Sequence, residues 1–152
     1  MISTELKAVA KLEGFTFSEK SEERWIKVHF DGVEVKFDGQ FQWGYRDIDK
    51  DRVIAGQVIK ASGDKEWFII NIPLGLLELG GPNVDIGEHD SGLPWVLLLQ
   101  TASSTTGKMS NFYWEEKVVI TGEFECQLVG SEPKKQAISV THGSFLVINP
   151  IP

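Results

Sequence analysis

Residues 25–37 read WIKVHFDGVEVKF, two strictly alternating runs on either side of Asp31-Gly32. Asp-Gly between such runs is the strongest short-range signal of a two-residue β-hairpin. A type I′ turn needs positive φ at both central residues, which Asp tolerates and Gly adopts freely. Phe30 is therefore expected to pair with Val33, placing Ile26, Val28, Phe30, Val33, Val35 and Phe37 on one apolar face. The opposite face carries Lys27, His29, Glu34 and Lys36, with His29 across from Glu34, a surface suited to water.

The same grammar extends outward from the hairpin. Asp38-Gly39 repeats the turn signal, and Phe41, Trp43 and Tyr45 then alternate with Gln42 and Gly44. A second two-residue turn would send these aromatics to the face opposite the first stripe, whereas a bulge at Gly39 would return them to the core. Residues 52–61 (RVIAGQVIKA) and 66–72 (EWFIINI) predict another hairpin, with Phe68, Ile70 and Ile72 on one face and Trp67 and Ile69 on the other. Apolar residues on both faces imply a strand covered on both sides.

Weak alternation over Glu5–Leu12 reads as a first strand, Leu93–Gln100 as a buried strand and Thr101–Gly107 as a polar connection. Residues 83–92 (NVDIGEHDSG) read as a loop. Pro73–Leu79 is the one helical turn, stopped by Gly80-Gly81-Pro82. Val118, Ile120, Gly122, Phe124, Cys126 and Leu128 mark a long half-buried strand, which turns through residues 131–135 into a closing strand over Gln136–Ile148. In that last strand Ile138 and Val140 have core parity and Phe145 and Val147 the opposite parity, which predicts a bulge at Gly143. The chain is read as a single β domain, 1–152: all-β, an antiparallel β-sandwich or flattened barrel of about nine strands, with at most one short helical turn.

A chain of 152 residues buries roughly two-thirds of its unfolded surface and needs no covalent staple. The single cysteine, Cys126, excludes an intramolecular disulfide framework, and without a Cys/His cluster no zinc site of the usual kinds is read. Net charge is −7, from 22 acids against 15 Lys and Arg, which disfavours nucleic acid and anionic membrane surfaces and suits a basic protein or a cation. The N-terminal residues carry no apolar run of signal-peptide length, and the longest apolar stretch, Trp95–Leu99, is too short to span a bilayer. These features point to a reducing, cytoplasmic setting.

Candidate chemistry is sparse. Asp47, Asp49 and Asp51 have the spacing that opens an oxygen-ligand calcium loop, but Arg52 and Val58 stand where its glycine and bidentate glutamate belong, so the segment reads as a solvated acidic turn. Asp85, Glu88, His89 and Asp90 crowd one loop, yet consecutive residues of an extended chain point to opposite faces and chelate poorly. His29 is explained by Glu34, His142 falls on core parity, and Cys126 sits on an apolar stripe where burial renders it inert. No catalytic residue set, metal ligand set or cofactor motif emerges. Two clusters combine aromatic and acidic groups: Trp43, Tyr45, Asp47, Asp49 and Asp51, and Tyr113-Trp114 beside Glu115-Glu116.

Val119–Phe124 (VITGEF) and Ile138–Phe145 (ISVTHGSF) resemble the ending of a family of uncharacterised bacterial β-rich proteins, whose strands follow ISGTF and VTITNGSF patterns. The resemblance spans about a third of the chain, through Thr121-Gly122-Glu123-Phe124 and Val140–Phe145. It implies a β fold and brings no activity or catalytic residue. Many members are envelope lipoproteins, a location that does not carry over to a chain with no cysteine near its start.

The functional expectation is a non-enzymatic β-sandwich module that binds a protein partner, as an inhibitor or immunity-type factor does. A carbohydrate module using Trp43, Tyr45 or Trp114 is the alternative, and a hydrolase built on residues 85–90 the third reading. Edge strands offer a route to a dimer, although no oligomeric state is legible.

Overall fold

The Asp31-Gly32 turn closes as its sequence requires. In the computed structural model, which describes residues 4–18, 23–48, 50–73, 75–76, 83–99, 102–115, 118–130 and 137–148, Asp31 and Gly32 have φ of 51° and 84°. Phe30 pairs with Val33 and His29 with Glu34. The turn also docks sideways: the Asp31 N–H donates to the Ser139 carbonyl and the Ser139 N–H donates to the Asp31 carboxylate. Val33 departs from the predicted face. At the hairpin tip it is 58 % exposed, because the apolar stripe runs past the end of the core.

The described residues form helix α1 (Thr4–Glu13) and strands β1 (Phe15–Ser18), β2 (Glu23–Phe30), β3 (Val33–Arg46), β4 (Arg52–Ile59), β5 (Lys65–Ile72), β6 (Val84–Ile86), β7 (Trp95–Leu98), β8 (Ala102–Glu115), β9 (Val119–Gly130) and β10 (Ala137–Ile148). Eight of these strands pair in the order β2-β3-β4-β5-β7-β8-β9-β10, in sequence order apart from the skipped β6, and β10 returns to β2. Every pairing is antiparallel. The all-β reading holds, and the architecture is a closed eight-stranded barrel rather than a sandwich. β1 and β6 are additional strands, paired to β3 and β8.

Curvature follows from bulges, which bend a sheet and increase its twist. β3 inserts extra residues between Phe37 and Phe41 around Gly39, whose φ is 90°. The strand therefore runs through Asp38-Gly39 without reversing, and Val35, Phe37, Phe41 and Trp43 all face the core. β10 carries the bulge expected near Gly143, displaced by one residue: the register shifts between Val140 and Gly143, and the left-handed residue is His142, with φ of 51°. That extra residue turns His142 outward, against its core parity.

The lumen is packed solid with side chains that include Ile26, Val28, Trp43, Ile54, Phe68, Ile70, Phe124 and Phe145. Phe124 lies between Phe68, on which it stacks, and Phe145, to which it is tilted by 41°, with centroids 5.8 and 6.1 Å away. Gly56, Gly122 and Gly143 face this core where a Cβ would meet Ile26, Phe145 or Phe124 at 3.0 Å or less. Val118, expected on the inner stripe, lies in the turn before β9 and is largely exposed.

A second core lies outside the barrel wall. The predicted two-sided apolarity of residues 66–72 holds: Phe68, Ile70 and Ile72 face the lumen, while Trp67 and Ile69 join Val53, Ala55, Trp95 and Leu99 beneath Leu6 and Val9 of α1. Residues 4–13 are accordingly a helix and not the expected strand. Leu6, Val9 and Ala10 have i, i+3, i+4 spacing on good helix formers, and Glu5 and Lys11 complement the helix dipole at its two ends. Covering the large rings on the outer wall decides between the two conformations.

The predicted polar connection over Thr101–Gly107 is instead part of β8 from Ala102 onward. Its one deeply buried hydroxyl, Ser104, is satisfied by donating to the Gly87 carbonyl (2.7 Å) and accepting from the Val96 N–H (2.9 Å), which removes the cost of burying it. Most of the predicted helical turn over Pro73–Leu79, and the Gly80-Gly81-Pro82 stop, lie outside the described residues; Gly75 and Leu76 are helical. Among the described residues no helix is long and apolar enough to cross a membrane.

Candidate functional site

One end of the barrel gathers groups from four parts of the chain. Arg46, the last residue of β3, is held by its Nε donating to the Glu13 carbonyl at the C-terminus of α1 (3.0 Å). Its two terminal nitrogens reach the Glu13 carboxylate at 3.3 Å and the Asp90 carboxylate at 2.6 Å. His89 bridges the same acids, with Nε2 2.6 Å from Glu13 Oε1 and Nδ1 3.4 Å from Asp90 Oδ2. The imidazole lies against the buried Trp95 ring, centroids 4.7 Å apart. Next to this cluster the Asp47 N–H donates to the Gly14 carbonyl, and Thr16 Oγ1 donates to the Asp47 carboxylate at 2.7 Å.

The backbone explains how these side chains meet. The loop between β6 and β7 closes on itself through Gly87 N–H to Pro94 C=O and Ser91 N–H to Glu88 C=O, with Asp90 at a φ of 58°. Ser104 anchors one side of this loop, and the ionic cluster ties the other side to α1 and β3. The Arg46 guanidinium holds the Asp90 carboxyl below the usual carboxylate range, chiefly by its hydrogen bond, with added attraction from His89 and Arg46 and opposition from partial burial.

Ligand atoms of Glu13, His89 and Asp90 all lie within 4.8 Å of one another, the spacing of a cation site. Arg46 already supplies the two carboxylates with the positive charge that a metal would bring, and His89 turns a different ring nitrogen to each acid. The cluster is therefore an ion-pair clasp. Glu13 and Arg46 did not stand out in the sequence, because they meet His89 and Asp90 across separations that no local pattern records and because Glu5–Leu12 read as a strand ending short of Glu13. Asp85 and Glu88 stay out of the clasp. Asp85 pairs with Lys108 across β6 and β8 and lines a shallow groove of about 690 Å³ on the outer wall, with Glu125, Gln127 and Thr141.

The aromatic and acidic candidates disperse. Trp43 is 3 % exposed inside the barrel core. Tyr45 is half-buried, with the Lys50 ammonium over its ring at 5.1 Å. Asp47 is exposed beside Thr16, and Asp49 lies outside the described residues. Asp51 is buried, accepting from the buried Asn71 amide at 2.8 Å, so the turn is solvated at its tip but not at its base. Trp114 packs against the barrel core, and Tyr113 is exposed and donates to Glu115, an interaction that pushes its phenol pKa up. β3 and β8 are four strands apart in either direction around the barrel, so Tyr45 and Tyr113 lie on opposite walls and share no platform.

Cys126 faces the lumen, and burial pushes its thiol up to about 12. No protein-family model, curated protein or solved structure matches this chain.

Proposed function

We propose that this chain is a non-enzymatic protein-binding barrel module whose contact surface is the barrel end built by the C-terminus of α1, the β3–β4 turn and the β6–β7 loop. One observation carries the reading. Leu12 and Ile48 are 81 % and 85 % exposed, and each sits within two residues of a group bonded into the Glu13–Arg46–His89–Asp90 clasp or its Asp47–Gly14 neighbour. Exposed aliphatic side chains beside pre-oriented charges supply an apolar contact patch with a polar rim. The net charge of −7 favours a partner with a basic surface. An inhibitor or immunity-type factor would work in this way, by occlusion and without chemistry of its own.

The test compares affinity captures by the wild type, L12D/I48D and V33D. Val33 is exposed at the opposite end of the barrel, and all three positions tolerate charge because surface changes cost within about 0.5 kcal/mol. A protein captured by the wild type and V33D and lost with L12D/I48D supports the surface. A partner captured equally by all three removes it.

A further inference from the structure

The bulge in β10 has a second consequence on the opposite side of the sheet from the core. Without it, His142 would share the inward parity of Ile138 and Val140; with it, the imidazole projects from the outer wall beside His29 of β2. The two ring centroids are 4.8 Å apart with planes inclined by 45°. His142 holds this position with a left-handed backbone, unfavourable for a residue with a Cβ, and bulges of this kind re-aim side chains.

This spacing suits two imidazoles bound to a single metal. A nitrogen bonded at about 2.05 Å places its ring centre about 3.2 Å from the metal, so cis ligands put their centroids about 4.5 Å apart at 90° and about 5.2 Å apart at the tetrahedral angle. The observed 4.8 Å falls between these values. Glu34 stands directly across from His29 on β3, where paired Cβ atoms are about 5 Å apart, and brings a carboxylate to the same patch. Arg46 fills the Glu13–His89–Asp90 clasp, whereas among the described residues the side-chain contact of these two imidazoles is with each other.

We propose that His29 and His142 together bind one divalent transition-metal ion through two imidazole nitrogens. Imidazole donors select copper, zinc or nickel over calcium and magnesium, and among these Cu²⁺ binds most tightly. The site lies on the barrel wall, away from the surface assigned to a protein partner, and does not depend on that assignment.

The probe is Cu²⁺ added to the full chain, followed by calorimetry and electron paramagnetic resonance. One equivalent binds, and its spectrum carries nitrogen couplings from two imidazoles. Asn is among the residues that accept a left-handed backbone, so H142N keeps the bulge while removing the ligand. H142N and H29N each weaken binding at least tenfold with unchanged circular dichroism, while H89N binds as the wild type does. Absence of stoichiometric binding by the wild type, survival of binding in the H29N/H142N double variant, or its loss in H89N overturns the proposal.

Discussion

Replacing Gly143 with alanine tests the packing of the barrel at its tightest described aromatic contact. An added Cβ would lie 2.6–2.7 Å from three atoms of the Phe124 ring. That ring is 4 % exposed and held between Phe68 and Phe145, so it cannot swing aside as a flexible side-chain tip could. Overpacking of this kind costs about 1–3 kcal/mol. Loss of unfolded-chain entropy on replacing glycine offsets about 0.4–1 kcal/mol. The net expectation is a destabilisation of about 1–2 kcal/mol, which for a domain of this size lowers the melting temperature by about 2–8 °C. Urea unfolding followed by tryptophan fluorescence should show a lower midpoint at unchanged slope. Gly75→Ala is the control: it lies in a helical turn with nothing within 4 Å of its would-be Cβ, and it should be neutral or slightly stabilising. A double-mutant cycle with Phe124→Leu locates the strain, since trimming the ring should cost less in the G143A background than in the wild type. Wild-type stability in G143A, or strict additivity with F124L, would refute the picture of a lumen closed by glycine–aromatic contacts.

Two further outcomes follow from the ionisable groups. Cys126, with its thiol pushed up to about 12 by burial, should resist iodoacetamide at pH 8 in the native protein and react at the rate of global unfolding; rapid native labelling would place it elsewhere than in the lumen. Asp90 has its carboxyl lowered mainly by the hydrogen bond from Arg46, so its contribution to stability is complete above the ordinary value of about 3.9 and is lost as pH falls through the lower folded value. Because Asp90 is half-exposed, the contribution is small and best read by NMR titration. Arg46→Gln should move the Asp90 midpoint upward toward the ordinary value, and an unmoved midpoint would show that the clasp does not persist in solution.

Local pattern was most informative where a strand had one wet face and one dry face. Residues 25–37 and 119–130 alternate with period two, and their strands lie where that alternation puts them. It was least informative where a distant surface chose the conformation. The helix over residues 4–13 carries an i, i+3, i+4 apolar stripe, but the rings that stripe covers, Trp67 and Trp95 with Ile69, lie far along the chain. The polar run that opens β8 fails as a connection for the same reason: Ser104 is satisfied by Gly87 and Val96, groups that its neighbours in sequence do not reveal. The candidate aromatics illustrate the converse. Trp43 stood out by composition, yet the continuity of β3 through its Gly39 bulge sends its ring into the barrel.

From the sequence alone, the Asp31-Gly32 turn, the alternating stripes and the parity break at Gly143 determined an all-β antiparallel domain with a bulged last strand, because turn dihedrals and side-chain alternation are local properties of the backbone. Tertiary structure decided that the sheet closes into a barrel by returning β10 to β2, that Glu13 and Arg46 clasp His89 and Asp90, and that His142 faces His29. Closure and convergence depend on the summed twist of eight strands and on contacts between residues far apart in the chain, quantities that no window of sequence contains.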